Sequence, residues 1–156
     1  MLFRSAAASQ TITFNAIPAQ TYSAAGTYTL SATASSGLTV SYASSDLSVA
    51  TINNNVVTIV GGGTAVITAS QSGNNNYDPA ADVTQNFVVN KATQTITFGA
   101  LANKVTSDPP FSLTGTASSG LNLSYASSNT AVATISGNTV TLTGGIGVTT
   151  ITASQD

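Results

Sequence analysis

Serine side chains are abundant in the sequence, but the usual partner of a catalytic serine is missing. A serine hydrolase activates its nucleophile with a histidine base, and the sequence contains no histidine. A lysine could take that role, and the chain offers Lys91 and Lys104. Both lysines lie in stretches typical of exposed linkers or turns, so we expect neither of them to activate a serine.

Asp78 and Asp82 form a pair of carboxylates that are close in the sequence. Two carboxylates that converge on a cleft could hydrolyse a glycosidic bond. Together with the asparagines at 74–76 they also form an oxygen-rich segment, and calcium prefers oxygen ligands. The spacing is not that of an EF-hand, and asparagine is common in turns because it tolerates left-handed backbone. We therefore predict solvated turn residues, and calcium binding by the Asn74–Asp82 loop stays an open alternative.

The run Gly61–Thr64 could be read as a phosphate-binding loop. It lacks the lysine of that motif and precedes a strand pattern rather than a helix, so we interpret it as a turn. With these candidates set aside, the sequence predicts no catalytic, cofactor-binding or metal-ligating residues. We expect a protein that is not an enzyme and carries no cofactor.

Charge is sparse along the whole chain. Three lysine or arginine residues and five aspartates give a net charge of -2 over 156 residues. This offers no basic surface for nucleic acid and no polybasic patch for anionic lipid. The absence of cysteine excludes disulfides and thiolate metal sites. No apolar run approaches the roughly 18 residues of a membrane helix. From the sparse charge we expect no binding of nucleic acid, and from the short apolar runs we expect no membrane insertion.

A long internal repeat organises the chain. The segment TASSGLTVSYASSD, which begins at Thr33, returns as TASSGLNLSYASSN from Thr116. The segments QTITF and ITASQ, which begin at Gln10 and Ile67, also return. A period of about 84 residues is longer than the roughly 20–50 residues of a solenoid unit. It is long enough for each copy to bury a small core of its own.

The repeat predicts two tandem modules, residues 9–91 and 92–156, after a leader or foreign segment at residues 1–8. The second copy stops before any counterpart of Val83–Val89, a segment that has the pattern of a final strand. We therefore expect a second module that is truncated at its C-terminus, in a fragment of a longer array.

Apolar and polar residues alternate in both copies, as in half-buried strands. Leu38, Val40 and Tyr42 share one face of such a strand. We predict that Tyr42 and its counterpart Tyr125 face the core, rather than forming an exposed surface on which sugars could stack. Threonine and valine suit a pleated sheet, whereas strong helix formers are scarce.

Comparison of the two copies separates the inner face from the outer face. Val57 and Ile59 stay apolar in the second copy, which predicts burial. Val56 and Val60 become threonine there, which predicts exposure to solvent. With turn signals between the strands, the pattern indicates about seven short strands per module in an antiparallel β-sandwich.

The runs SYASS, SVATI and VTIVGGGTAVITAS, together with the loop around Tyr77, resemble a bacterial immunoglobulin-like repeat of the Big type. The resemblance is found in both copies of the repeat, and together they cover nearly the whole chain. It implies an all-β fold of two tandem immunoglobulin-like antiparallel sandwiches. Such modules occur in tandem in large secreted or surface-anchored bacterial proteins, many of which are adhesins.

The resemblance leads to two expectations about function. In the first, the chain is a structural spacer or stalk of an adhesin-like protein outside the cell or on its surface. Its partners would be neighbouring repeats, and its export signal would lie outside these residues. In the alternative, it is a carbohydrate- or protein-binding accessory module of a secreted protein. The loops Ser35–Leu38 and Gly73–Pro79 would then contact a glycan or a cell-surface protein.

Overall fold

Strands and turns make up the regular structure of the described residues. The structure, a computed structural model, describes residues 6–155, so most of the predicted leader at 1–8 lies outside the described residues. Between residues 6 and 155 there is no helix, and therefore none long and apolar enough to span a bilayer. The all-β prediction is confirmed, in keeping with a chain rich in β-branched residues.

Contacts between residues divide the chain into two compact units, 1–92 and 93–156. The division falls within Asn90–Thr93, the stretch NKAT that joins the two copies of the repeat. The strands of the first unit are β1 (Ile12–Thr13), β2 (Gln20–Thr21), β3 (Thr27–Thr29), β4 (Thr33–Ala34), β5 (Ser41–Ser44), β6 (Ala50–Asn53), β7 (Val56–Ile59), β8 (Gly63–Ser70) and β9 (Val83–Asn90).

Two sheets of the first unit share one core. The larger sheet has the order β2-β9-β8-β5 and the smaller sheet has the order β3-β7-β6, while β1 pairs with β4. Ile67 and Phe87 from the larger sheet pack in the same cluster as Val57 and Ile59 from the smaller sheet. The first unit is therefore a β-sandwich, in which each sheet turns its apolar face inward.

The pairing of β8 with β9 is the longest ladder in the first unit. It runs from the pair Gly63–Val89 to the pair Ala69–Val83. Phe87, in the middle of β9, is fully buried. An antiparallel ladder places alternate side chains of both strands on the same face, so this pairing directs Phe87, the largest fully buried side chain among the described residues, into the core.

One pair of strands departs from the predicted antiparallel arrangement. β2 runs parallel to β9, with Gln20 beside Val89 and Thr21 beside Asn90. The N–H of Tyr22 extends the pairing by donating to the carbonyl of Asn90 at 2.8 Å. A hairpin would force an antiparallel pair, but all the intervening strands separate β2 from β9, so the direction of β2 is free of that constraint.

The second unit repeats much of this arrangement with a smaller core. Leu113, Ala133 and Val140 are its buried apolar residues. Within its described residues, which end at Gln155, no counterpart of β9 is found. Its strands are β10 (Ile96–Thr97), β11 (Phe111–Ser112), β12 (Thr116–Ala117), β13 (Ser124–Ser127), β14 (Ala133–Ser136), β15 (Thr139–Leu142) and β16 (Ile151–Ser154).

Three small sheets form the second unit. β11, β15 and β14 make a three-stranded sheet. β13 pairs with β16 in a two-stranded sheet, and β10 pairs with β12 in another. The pairing of β13 with β16 has the same register as that of β5 with β8, because Ser124 lies beside Ser154 as Ser41 lies beside Ser70. The repeated sequence therefore builds repeated strand pairs.

The predicted inner and outer faces of β7 are confirmed. Val57 is fully buried and Ile59 is nearly so, whereas Val56 and Val60 are exposed. Substitution of the two outer valines by threonine in the second copy is tolerated because these side chains meet solvent rather than the core.

Tyr42 points into the core of the first unit, as its alternation with Leu38 and Val40 predicts. It is half-buried against the core, and its ring meets that of Phe14 edge-on at 5.8 Å between centroids. Its hydroxyl oxygen accepts a hydrogen bond from the N–H of Ala32 at 2.8 Å. In the second unit Tyr125 accepts in the same way from Gly115 at 3.0 Å. The ring faces the core, which contradicts a sugar-stacking surface at this position.

Truncation of Tyr42 should destabilise the first unit in two separable parts. We expect Tyr42→Ala to cost about 3–5 kcal/mol through lost packing. Tyr42→Phe, which loses only the hydrogen bond to Ala32, should cost about 1 kcal/mol. Native-state amide hydrogen exchange, read on the amides of β7 and β8, measures the free energy of unfolding for this unit alone.

Leu47→Ala is the control for Tyr42, since Leu47 is 65% exposed in the same unit. Its cost should stay within about 0.5 kcal/mol. A loss below about 1 kcal/mol for Tyr42→Ala would contradict the inward position of the ring, because core truncations of aromatic residues cost several times more.

Candidate functional site

The two loops predicted as binding surfaces, Ser35–Leu38 and Gly73–Pro79, are joined through Gln10. Gln10 is a polar residue that is only 7% exposed. Its Nε2 donates to the carbonyl of Asp78 at 2.7 Å, and the hydroxyl of Ser36 donates to its Oε1 at 2.5 Å. One buried amide therefore holds both loops at the same end of the first unit.

The repeated turn Ala34–Gly37 uses its polar groups within the fold. The hydroxyl oxygen of Ser35 accepts a hydrogen bond from the N–H of Thr11 at 3.0 Å. The N–H of Gly37 donates to the carbonyl of Ala34 at 2.9 Å, and Gly37 has a φ of 76°, which glycine adopts without strain. Since Ser36 binds Gln10, both serine hydroxyls of the turn have internal partners.

The loop Gly73–Pro79 is organised around the side chain of Asn74. Its Oδ1 accepts hydrogen bonds from the N–H groups of Asn76 at 2.8 Å and Tyr77 at 3.0 Å. The backbone of Tyr77 also forms a parallel bridge with Ala8. This is an Asx turn, in which the asparagine oxygen stabilises its own loop.

Asp78 and Asp82, the carboxylates weighed for glycoside hydrolysis or calcium binding and predicted to be solvated turn residues, are both exposed. The part of the chain that the structure describes contains no group of three or more His, Cys, Asp or Glu side chains that could hold a metal ion. The oxygen of Asn74 is engaged with the backbone. Calcium binding by the Asn74–Asp82 loop stays a hypothesis.

The remaining candidates for chemistry belong to other segments of the chain. Lys104 places its Nζ 4.9 Å from the ring centroid of Phe111, which is a cation–π contact. Lys91 is exposed at the end of the first unit. The run Gly61–Thr64 leads into β8, a strand, and so lacks the helix N-terminus of a phosphate-binding loop.

An open groove of about 860 Å³ lies beside the turn in the first unit. Tyr42 is the one titratable residue among those that line it, and its hydroxyl is bonded to the backbone of Ala32. The groove therefore offers shape and apolar contact rather than acid–base chemistry. Its larger apolar and aromatic lining residues are Leu30, Leu38, Val40, Tyr42 and Ile52.

Asp46 lies in the turn between β5 and β6 and carries a shifted pKa. The hydroxyl of Ser48 donates to its Oδ1 at 2.6 Å, and the N–H of Ser48 donates to the same atom at 2.9 Å. These hydrogen bonds hold the pKa of Asp46 below its ordinary value of 3.8. In the second unit Asn129 takes the same place and accepts from the N–H of Ala131 at 3.1 Å. The carboxylate therefore acts as a turn cap.

Sequence reasoning did not single out Gln10, although its recurrence was a usable signal. Gln94 is its counterpart, and the hydroxyl of Ser119 donates to Gln94 Oε1 at 2.6 Å, as Ser36 does to Gln10. Gln94 also donates to Gln155, the counterpart of the bond from Gln10 Nε2 to Gln71 Oε1 at 2.6 Å. Gln94 is exposed, because no counterpart of the loop Gly73–Pro79 covers it among the described residues.

No protein-family model matches the sequence, and a search of curated proteins finds no significant match.

Gln10 and Gln94 form a matched pair for measuring how much the hydrogen bonds of a buried glutamine contribute to the free energy of unfolding. We expect Gln10→Ala to destabilise the first unit by about 1–3 kcal/mol, because it removes a buried amide together with its hydrogen bonds to Ser36, Gln71 and the carbonyl of Asp78. Gln94→Ala, at the exposed counterpart, should cost the second unit at most about 0.5 kcal/mol. Native-state hydrogen exchange on each unit gives both values, and equal costs would contradict a role for burial.

Asp46 should make the stability of the first unit depend on acid pH. A carboxyl whose folded-state pKa is lowered contributes stability above its unfolded value of 3.8, and that stability is lost as pH falls through the lower folded value. We expect Asp46→Asn to remove this part of the acid sensitivity, because Asn129 shows that an amide oxygen caps the same turn.

Hydrogen exchange or thermal melting at about pH 7 and about pH 2.5 provides the comparison. Asp82→Asn removes one negative charge from an exposed position and serves as the control. An Asp46→Asn variant that loses as much stability on acidification as the unmodified chain would refute the assignment.

Proposed function

We propose that the chain is a structural spacer, part of a stalk in a large bacterial extracellular or surface-anchored adhesin-like protein. The repeated sequence, the two compact units and the resemblance to immunoglobulin-like Big-type repeats support this proposal. The partners of each module would be neighbouring repeats of the same chain. The stalk would hold a binding or catalytic head away from the cell, and no enzymatic role is proposed for these residues.

The observation that carries the proposal is the parallel pair of β2 and β9. The chain enters the larger sheet at β2 and leaves it at β9. Tension along the chain pulls β2 toward its beginning and β9 toward its end, so two parallel strands slide past each other. Their backbone hydrogen bonds then bear load together rather than opening one by one. Such shear geometry suits a module that works under tension.

The repeated turn also favours a structural role over ligand recognition. Its two serines, Ser35 and Ser36, both make hydrogen bonds within the first unit. The matching serines Ser118 and Ser119 do the same in the second unit. Near-identity of this turn in the two copies therefore follows from folding requirements, without a ligand that both copies recognise.

Single-molecule force spectroscopy on the full chain tests the load-bearing role of β2. We expect a discrete unfolding event for the first unit, with a gain in contour length of about 30 nm for its extended chain. Tyr22→Pro removes the N–H that donates to Asn90 and should lower the unfolding force. Tyr22→Ala keeps that N–H and is the matched control.

The two variants separate the hydrogen bond from the side chain. An unfolding force that falls for Tyr22→Pro and stays unchanged for Tyr22→Ala supports shear loading through the backbone. Equal forces for the unmodified chain and Tyr22→Pro, or a first unit that extends without a resolved peak, would count against a spacer that bears tension through this pair.

The groove beside Tyr42 favours a second candidate function, a carbohydrate- or protein-binding accessory module. It is open and about 860 Å³ in volume. Two-dimensional NMR of the full chain during titration with a panel of glycans would report binding through the methyl signals of Leu38 and Val40, which line the groove. Saturable shifts confined to the groove would favour this alternative over the spacer proposal.

A further inference from the structure

The sequence contains two Asp–Pro peptide bonds, one in each unit, Asp78–Pro79 and Asp108–Pro109. The carboxylate of an aspartate can attack the carbonyl carbon of its own residue, because the attack is intramolecular and closes an unstrained five-membered ring. A prolyl nitrogen carries no N–H in the peptide and leaves as a secondary amine, which takes up a proton readily. These two bonds are therefore the ones in the chain that a neighbouring carboxylate can break most easily.

The peptide bond after Asp78 is held in place on both sides. The N–H of Asp78 donates to the carbonyl of Ala8 at 2.9 Å, and the N–H of Ala80 donates to the carbonyl of Gln71 at 3.0 Å. Gly73 lies directly against this bond, since a β-carbon on Gly73 would be 2.8 Å from the carbonyl carbon of Asp78. The peptide group therefore has a fixed position in the folded first unit.

The carbonyl oxygen of Asp78 has a buried hydrogen-bond donor. Gln10 Nε2 donates to it at 2.7 Å, and Gln10 is only 7% exposed. The amide of Gln10 is itself fixed, because its Oε1 accepts from the hydroxyl of Ser36. Negative charge develops on a carbonyl oxygen as a nucleophile adds to its carbon, and a preorganised amide donor lowers the energy of that state. Gln10 therefore occupies the position of an oxyanion-hole donor for attack at Asp78.

The carboxylate of Asp78 is available for this attack, whereas that of Asp108 is not. The Asp78 carboxylate is exposed and makes no hydrogen bond or ion pair with any residue between 6 and 155. Asp108 Oδ2 accepts from the N–H of Val105 at 3.1 Å, and within the described residues no donor reaches the carbonyl oxygen of Asp108. The same dipeptide is therefore arranged for cleavage in the first unit and not in the second.

We propose that the first unit cleaves its own chain between Asp78 and Pro79. An Oδ atom of Asp78 bonds to the carbonyl carbon of the same residue, and Gln10 Nε2 stabilises the oxyanion that forms. The C–N bond to Pro79 then breaks, and the nitrogen takes a proton from water, which leaves a cyclic anhydride and hydroxide.

Water completes the reaction by opening the anhydride to two carboxylates. Of the two protons released, one neutralises the hydroxide from the first step and the other protonates the new amine of Pro79. The net change is hydrolysis of one peptide bond. Each chain reacts once, so the first unit processes itself without turning over a substrate.

The cut separates β8 from β9 in the chain but not in space. The ladder between them runs from the pair Gly63–Val89 to the pair Ala69–Val83, and Phe87 is fully buried. A cleaved first unit therefore keeps its fold, with its two pieces joined by hydrogen bonds and packing. Under tension such a joint separates when β9 is pulled out, whereas an intact unit only extends. This consequence rests on the proposed spacer function, but the cleavage itself does not.

The test follows the purified full chain by intact-mass spectrometry during incubation at about pH 5, above the ordinary pKa of an aspartate. We expect one fragment that ends at Asp78 and one that begins at Pro79, formed at least about tenfold faster than cleavage after Asp108. Size-exclusion chromatography should elute the two fragments together, and a denaturing gel should separate them. In concentrated urea, which unfolds both units, the two Asp–Pro bonds should break at similar rates.

Three variants identify the reacting groups. Asp78→Ala removes the nucleophile and should abolish cleavage at this bond. Gln10→Ala removes the oxyanion donor and should slow cleavage by about tenfold or more. Asp82→Asn, at an exposed position in the same segment, is the control and should cleave like the unmodified chain.

The proposal is overturned by a chain that stays intact after Asp78, by equal cleavage of both Asp–Pro bonds in the folded chain, or by an unchanged rate in a folded Gln10→Ala variant. Faster cleavage after Asp78 in urea would also overturn it, because the folded unit would then protect the bond. If Gln10→Ala does not fold, the comparison of the two bonds and the urea experiment decide. None of these outcomes bears on the unfolding forces that test the spacer proposal.

Discussion

Burial of Phe87 between the two sheets is the interaction on which the first unit depends. The ring packs against Tyr28, and Ala65, beside it in the ladder, is fully buried. The strand that carries Phe87 also closes the edge of β8 and offers its other edge to β2. One strand therefore completes the core, satisfies a long backbone ladder and provides the parallel pairing.

The second unit illustrates the same pattern of residues without such a strand among its described residues. Ile67 and Ala69 are fully buried, but their counterparts Ile151 and Ala153 are only half-buried. Twelve buried residues form the core of the first unit, compared with three in the second. Since apolar burial is the main favourable term in folding, a β9-like strand contributes far more than its own hydrogen bonds.

Features that depend on local periodicity could be predicted from the sequence. The inner and outer faces of β7 and the inward position of Tyr42 follow from alternation, because a strand exposes every second residue to the same environment. The partner of β2 could not be predicted, since two polar residues carry no burial pattern. Gln10 was also missed, because its burial depends on the loop Gly73–Pro79, which is distant in the sequence.

The polar contacts that recur in both units set geometry rather than supply most of the stability. Ser41 pairs with Ser70 at 2.9 Å between hydroxyl oxygens, and Ser124 pairs with Ser154 at 2.8 Å. These exposed bonds exchange with water, so each contributes little net free energy. They keep the same register in a unit with a large core and in one with a small core. In this charge-poor chain, hydroxyl and amide groups therefore specify which strands meet and in what register, while the depth of the apolar core determines how firmly they stay together.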